Sequence, residues 1–389
     1  MKANPGGNID PQFVVGRDGL IRSIWEALEQ QSIRLNAERR IGKTSVIRKM
    51  KAEPIAGWSP IYQDLERIHS PEEFAHEVYK TVQQFLSRWR RTANRATQFL
   101  ENSKIVIAGN SWETKERRYW KELLVTSIED LVTEKTDDRL ILFWDEVPYM
   151  IENLVKRDGE QTASEVLDTL RSLRQTHSDF RMVFTGSIGL HHVLSTLHDA
   201  HLATAPVNDM RPIEVTPLTP TDAQQLAKML IEGEMLPTSD IDAAAETIAR
   251  ETDGFPFYIH HIVSYLKQQQ IPANSDAIKE AVIDLLVDEA DPLELSHFRT
   301  RIGTYYKEPK DAELVRLILD CLASDATPIS INDLHCRIVA RSEEHNDRER
   351  LLKVLRLMGR DHYLSRTSEG EYQFRFPLIR RWWKLDRGL

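Results

Sequence analysis

The sequence predicts an α/β fold: a doubly wound parallel sheet, then a small helical domain, then helices that end in a hairpin. Three observations carry that expectation. Five short apolar segments alternate with helical stretches over the first 216 residues, the pattern of strands joined by crossover helices. The strands then stop, and residues 217–308 show only amphipathic helical spacing. Residues 363–376 alternate apolar and polar side chains around Ser368-Glu369-Gly370, the mark of an antiparallel ribbon. At 389 residues the chain exceeds the roughly 250–300 that one core can serve, so domains of 1–216, 217–308 and 309–389 are expected.

Each element has a local cause. Phe13, Val14 and Val15 read as a short apolar strand before a helix over 20–28, where Ile21, Ile24, Trp25 and Leu28 share one face. Residues 32–36 form the next strand, 42–50 a helix and 60–65 another strand. Ser70 caps a helix over 71–86, with Pro71 at its first position and Glu72 and Glu73 in its first turn. A basic helix over 87–100 carries Arg88, Arg90, Arg91 and Arg95, and a short strand at 104–107 and a helix over 112–133 follow. Leu140 to Trp144 is five apolar residues in a row, the composition of a strand buried on both faces. Strands at 180–185 and 213–215 complete the sheet. Helices are then expected over 221–232, 241–251, 257–268 and 277–289, with three more from residue 311 onward.

Composition narrows the function. The net charge of −9 offers no global attraction to nucleic acid or an anionic membrane, so any such contact must be local. Cys321 and Cys336 are too few for a disulfide framework and lack metal-ligand spacing, which fits a reducing compartment. No apolar run approaches the ~20 residues of a membrane span, and the first residues lack a signal-peptide apolar region, so a cytoplasmic location is expected.

Chemistry concentrates in two places. Ala37-Glu38-Arg39-Arg40-Ile41-Gly42-Lys43-Thr44 lies between a strand and a helix, and its end matches a phosphate loop, where backbone N–H groups and a helix N-terminus face an anion. Lys43 is expected to reach the β and γ phosphates of ATP, and the Thr44 hydroxyl to ligate Mg²⁺. Ala37 stands where the pattern has its first Gly, a departure that matters if that position needs positive φ. Asp145 and Glu146 follow the most apolar strand at once, at the end where a parallel sheet places its ligand. Asp145 is read as a metal ligand and Glu146 as the group that orients the attacking water. Thr185-Gly186-Ser187 ends the next strand and would set a hydroxyl beside Asp145. Arg211, before the last strand, is a candidate contact to the γ-phosphate, within the chain or from a neighbouring subunit.

Together these residues resemble the STAND and archaeal-type ATPases of the AAA+ P-loop group, and the likeness spans nearly the whole chain. Val14-Val15-Gly16-Arg17 is similar to the hydrophobic-Gly-Arg entry that lies near the adenine in that group, which implies nucleotide contact by Val15, Gly16 and Arg17. Arg39-Arg40-Ile41-Gly42-Lys43-Thr44-Ser45 resembles its Arg-Arg variant of the phosphate loop. Ser187 falls at its sensor position, and Gly254-Phe255-Pro256 is similar to the Gly-x-Pro motif by which a helical lid closes over the nucleotide, implying a role for Pro256. The C-terminal segment from Phe374 to Trp383 looks like the end of a winged helix. The resemblance implies an ATP-driven switch, in signalling or defence, with slow or partner-stimulated hydrolysis. It leaves oligomerisation open; no nuclease, protease or metal-ligand motif is visible in the sequence beyond the ATPase residues, so an effector is expected on another chain.

A second reading is a DNA-binding ATPase of the origin-recognition type. Arg348, Arg350, Lys353, Arg356 and Arg360 share one expected helix, but Glu343, Glu344, Asp347, Glu349 and Asp361 interleave with them, so no basic stripe emerges. A third, a scaffold with a degenerate site, rests on Ala37 alone and leaves Lys43, Thr44, Asp145 and Glu146 together without a purpose.

Overall fold

The computed structural model describes residues 1–87, 94–107, 113–133, 138–186, 189–199 and 205–389. They form two compact units, one of residues 10–39 and 43–215, the other of residues 1–9, 40–42 and 216–389.

In chain order the first unit contains α1 (Asp18–Leu28), β1 (Ile33–Asn36), α2 (Lys43–Ala52), β2 (Trp58–Asp64), α3 (Pro71–Ser87), α4 (Asn94–Ile107), α5 (Glu113–Thr133), β3 (Arg139–Asp145), α6 (Val147–Thr176), β4 (Phe180–Phe184), α7 (Leu190–Asp199) and β5 (Arg211–Glu214). The strands pair in parallel in the order β2-β3-β4-β1-β5. Every strand therefore ends at the same edge, the edge that receives ligands in open α/β sheets. In β3, Leu140 through Asp145 are all buried, and Trp144 packs on Phe74 and Phe184 at ring distances of 5.3 and 6.0 Å.

Two expected strands are absent. Phe13 ends a single 3-10 turn, Pro11–Phe13, capped by the Asp10 carboxylate, and Val14 and Val15 lie in the turn before α1. Residues 104–107 finish α4 instead of forming a strand, because three apolar residues in a row cannot distinguish the two periods. Of the expected basic helix, Arg88, Arg90 and Arg91 lie outside the described residues, while Arg95 faces Glu129 and Asp130 at 3.8 and 3.9 Å. The long α6 is interrupted at Gly159, whose φ of 83° breaks the helical path.

The second unit contains α8 (Pro220–Glu234), α9 (Ile241–Glu251), α10 (Pro256–Gln268), α11 (Ser275–Val287), α12 (Ser296–Tyr305), α13 (Pro309–Ser324), α14 (Ile331–Arg341), α15 (Arg348–Arg360), β6 (Leu364–Arg366), β7 (Tyr372–Phe374) and α16 (Pro377–Arg387). Thr219, Asp240, Asn274, Ser330 and Asp347 cap α8, α9, α11, α14 and α15 with side-chain oxygens, the chemistry that stops a chain from fraying there. β6 and β7 form the expected antiparallel ribbon. The boundary read at 308/309 falls inside this unit. Arg40 belongs to the same unit: its guanidinium forks onto the Glu294 carboxylate and lies 4.5 Å over the Phe257 ring. Among the described residues no helix is long and apolar enough to cross a membrane.

Candidate functional site

At the carboxyl edge of the sheet, the turn after β1 and the ends of β3 and β4 bring together the residues that the sequence singles out. Ala37 to Gly42 form a loop, and α2 begins at Lys43. Positive φ in this loop falls on Arg40 (66°) and Gly42 (97°), not on Ala37. The Ala37 departure therefore imposes no backbone strain. A Cβ at Gly42 would meet nothing within 4 Å, so glycine is required there by its dihedral alone.

Lys43 is 7% exposed, and its ammonium donates to the carbonyl oxygens of Ala37 at 3.3 Å and Glu38 at 3.0 Å. Burial pushes its pKa down, while Glu38, Glu146 and Asp145 pull the other way and favour the cation. The ammonium is thus buried at the head of α2, where an anion would meet it. Glu38 is itself buried, and its carboxylate accepts the Arg39 N–H at 2.8 Å.

Asp145 ends β3 at 3% exposure with its carboxylate fully engaged. Its Oδ1 accepts the Glu146 N–H at 3.1 Å, and its Oδ2 accepts the Thr44 hydroxyl at 2.7 Å and, more weakly, the Tyr62 hydroxyl at 3.4 Å. The Thr44 contact bridges β1 and β3 across the intervening β4. Burial, with Asp145 and Asp64 adding, pushes the Tyr62 phenol up, so it remains a donor. Glu146 is left-handed at φ 58°, a conformation that costs a residue with a Cβ roughly 1–3 kcal/mol and gathers at functional sites. Room for Glu146 comes from Gly186 after β4, where a Cβ would stand 2.5 Å from Pro148 Cδ and 3.4 Å from Glu146 Oε2.

Thr185 continues β4 beside Asp145, since the register pairs Trp144 with Phe184. Its hydroxyl is buried and has no hydrogen-bond partner, a cost a protein carries where a ligand or water supplies one. The hydroxyl of Thr44, the carboxylate of Asp145 and this orphaned hydroxyl are hard oxygen groups beside a buried ammonium. That donor set fits Mg²⁺ with a polyphosphate.

Other expected site residues are placed differently. Ser187 lies outside the described residues. Gly16 is at φ 68° in the turn before α1, and Arg17 is buried at the start of that helix, its carbonyl accepting the Ile21 N–H at 2.8 Å. Val15 is half-buried in the same turn. Arg39 is exposed, Ile41 buried and Ser45 half-buried in the first turn of α2. Arg211 is a correction. It starts β5 and pairs with Ile33 at the start of β1, its N–H on the Ser32 carbonyl at 2.9 Å. That is the amino edge, more than ~10 Å along the strands from the phosphate loop, so Arg211 does not serve the site of its own chain. Pro256 opens α10 in the second unit, after Gly254 at φ 71°. Tyr62 and Glu38 were not legible beforehand, since an aromatic in a strand and an acid in a loop carry no motif.

No protein-family model and no curated protein sequence matches the chain. Solved structures do. The Walker-type ATPase PABY2304 of Pyrococcus abyssi is 17% identical over 99% of this chain and 100% of its own length, with a TM-score of 0.65. The ORC2 protein of Aeropyrum pernix, solved as ADPNP and ADP complexes, is 10% identical over 96% of this chain and 95% of that one, with a TM-score of 0.52. The fold is that of the archaeal-type AAA+ P-loop ATPases.

Proposed function

We propose that the chain binds ATP with Mg²⁺ at the carboxyl edge of its sheet, hydrolyses it, and uses the nucleotide state to bias the packing of its helical parts. One observation supports this above the rest: the Thr44 hydroxyl meets the Asp145 carboxylate at 2.7 Å, although 101 residues separate them, with the Lys43 ammonium buried in the same field. In this reading the backbone of Arg39 to Ser45 cradles the phosphates, and Lys43 neutralises the β and γ oxygens. Thr44 and Asp145 hold the metal. When bound, Mg²⁺ supplies charge neutralisation for the departing phosphate. Glu146 orients the attacking water and accepts its proton, Thr185 and Ser187 offer hydroxyls to the γ-phosphate, and Val15, Gly16 and Arg17 border the base.

The core spans 1–216, the helical lid 217–308 and the winged helix 309–389. Pro256 fixes the turn of the lid that senses the nucleotide, and Arg211 can contribute only across a subunit contact. Differential contacts of ATP and ADP with these parts are what a switch requires. Titration calorimetry tests the reading: Lys43→Ala should lower ATP affinity at least about hundredfold, and Glu146→Gln should keep ATP bound without turnover. Unchanged affinity in Lys43→Ala would sink it.

The DNA-binding alternative has thinner support. In α15, Arg350 pairs with Asp311 at 2.6 Å and Arg348 with the Asn332 side chain at 2.9 Å, which leaves Lys353, Arg356 and Arg360 exposed. A low-salt gel shift without retardation would remove it.

A further inference from the structure

We propose that Tyr62 is a positioning residue for the Asp145 carboxylate, and that Arg48 fixes the direction in which the Tyr62 hydroxyl points. The assignment rests on the metal and nucleotide reading of the site. It begins with register. β2 pairs with β3 so that Tyr62 stands beside Phe143 and Asp64 beside Asp145. Side chains alternate along a strand, so Tyr62 and Asp145 lie on one face as diagonal neighbours, a gap that a phenol is long enough to span.

Helix α2 covers that face. Thr44 and Arg48 are one turn apart and project from the same side of the helix. Thr44 thus reaches Asp145 while Arg48 sits over Tyr62, 5.6 Å from its ring centre, with Lys51 at 5.6 Å as well. A guanidinium only donates, so an Arg48 N–H turned towards the phenol oxygen leaves the single phenol proton for Asp145 Oδ2.

The result is a directed chain from Arg48 through Tyr62 to Asp145. Its role follows from what holds the carboxylate when a cation binds: Thr44 ligates through an oxygen lone pair and keeps its proton on Asp145 Oδ2, and Tyr62 is the second side chain that holds the carboxylate in its rotamer. Groups that orient a metal ligand in this way alter metal affinity by about ten- to a hundredfold when removed.

The test is Tyr62→Phe in the full chain, which keeps the ring under Arg48 and Lys51 and deletes only the hydroxyl. Calorimetry measures a non-hydrolysable ATP analogue with Mg²⁺ and again in EDTA, with the thermal midpoint as the check on folding. Affinity in EDTA should match the wild type, and the gain conferred by Mg²⁺ should fall by about tenfold. Arg48→Met should reduce the same gain by less, because it frees the hydroxyl without removing it. A full Mg²⁺ gain in Tyr62→Phe, or an equal loss with and without Mg²⁺, overturns the assignment alone. A wild-type chain that gains nothing from Mg²⁺ overturns the reading of the site, and the assignment with it.

Discussion

Gly254→Ala has a cost that separates into two terms. The first is backbone: Gly254 has φ 71°, where a residue with a Cβ is disfavoured by roughly 1–2 kcal/mol. The second is contact, since a Cβ there would stand 2.6 Å from the Leu218 carbonyl oxygen. Leu218 is not free to step aside, because its N–H donates to the Gly254 carbonyl at 3.0 Å, so overpacking adds about 1–3 kcal/mol. Gly388 in the same unit is the control. Its φ is 64° and nothing lies within 4 Å of its added Cβ, so Gly388→Ala carries the first term only. Hydrogen exchange of the α9 and α10 amides across a urea series reads the stability of this region directly. Gly254→Ala should lose about 2–5 kcal/mol, against roughly 1–2 for Gly388→Ala by global unfolding. Equal losses in the two variants would refute the contact argument.

Four further outcomes are expected. Burial raises the Asp253 carboxyl from an ordinary 3.8 to about 7, although it accepts the Leu378 N–H and faces Arg381. Folding thus favours its neutral form, a stabilisation complete below pH ~4 and lost as pH rises through 7, worth at most roughly 4 kcal/mol. Asp253→Asn should therefore match the wild type at or below pH ~4 and exceed it at pH 8 in urea midpoint. His260 slopes the other way: burial depresses it to about 4 while its Nδ1 accepts the Asn4 N–H at 3.0 Å, so its contribution is present above pH ~6.5 and disappears towards pH 4. His260→Gln should flatten the acid limb of the same curve. Thr185→Val replaces an orphaned buried hydroxyl by a methyl of similar shape and should leave stability equal or raise it by up to about 1 kcal/mol while lowering ATP turnover; a loss of both would mean that the hydroxyl is structural. Arg211→Ala should leave ATP affinity of the isolated chain unchanged in calorimetry, because the residue lies at the amino edge.

Local chemistry made the elements legible. The five strands, the Ser70 cap of α3 and the helix that follows Gly42 come from apolar period and side-chain capping, which act over a few residues. Where two periods fit equally, as at 104–107, the sequence had no means to choose, and helix α4 took the segment. Arg211 precedes its strand, and in a parallel sheet that position lies at the edge opposite the phosphate loop.

What the sequence alone determined is the inventory: an ammonium and a hydroxyl at the head of a helix, and two acids after its most apolar strand. Strand order and register decided the rest. They set Thr44 against Asp145 across a third strand, laid Tyr62 onto the same carboxylate, buried Thr185 without a partner and sent Arg211 to the far edge. Proximity between residues a hundred positions apart is a property of how strands pair, and no short-range preference of the chain encodes it.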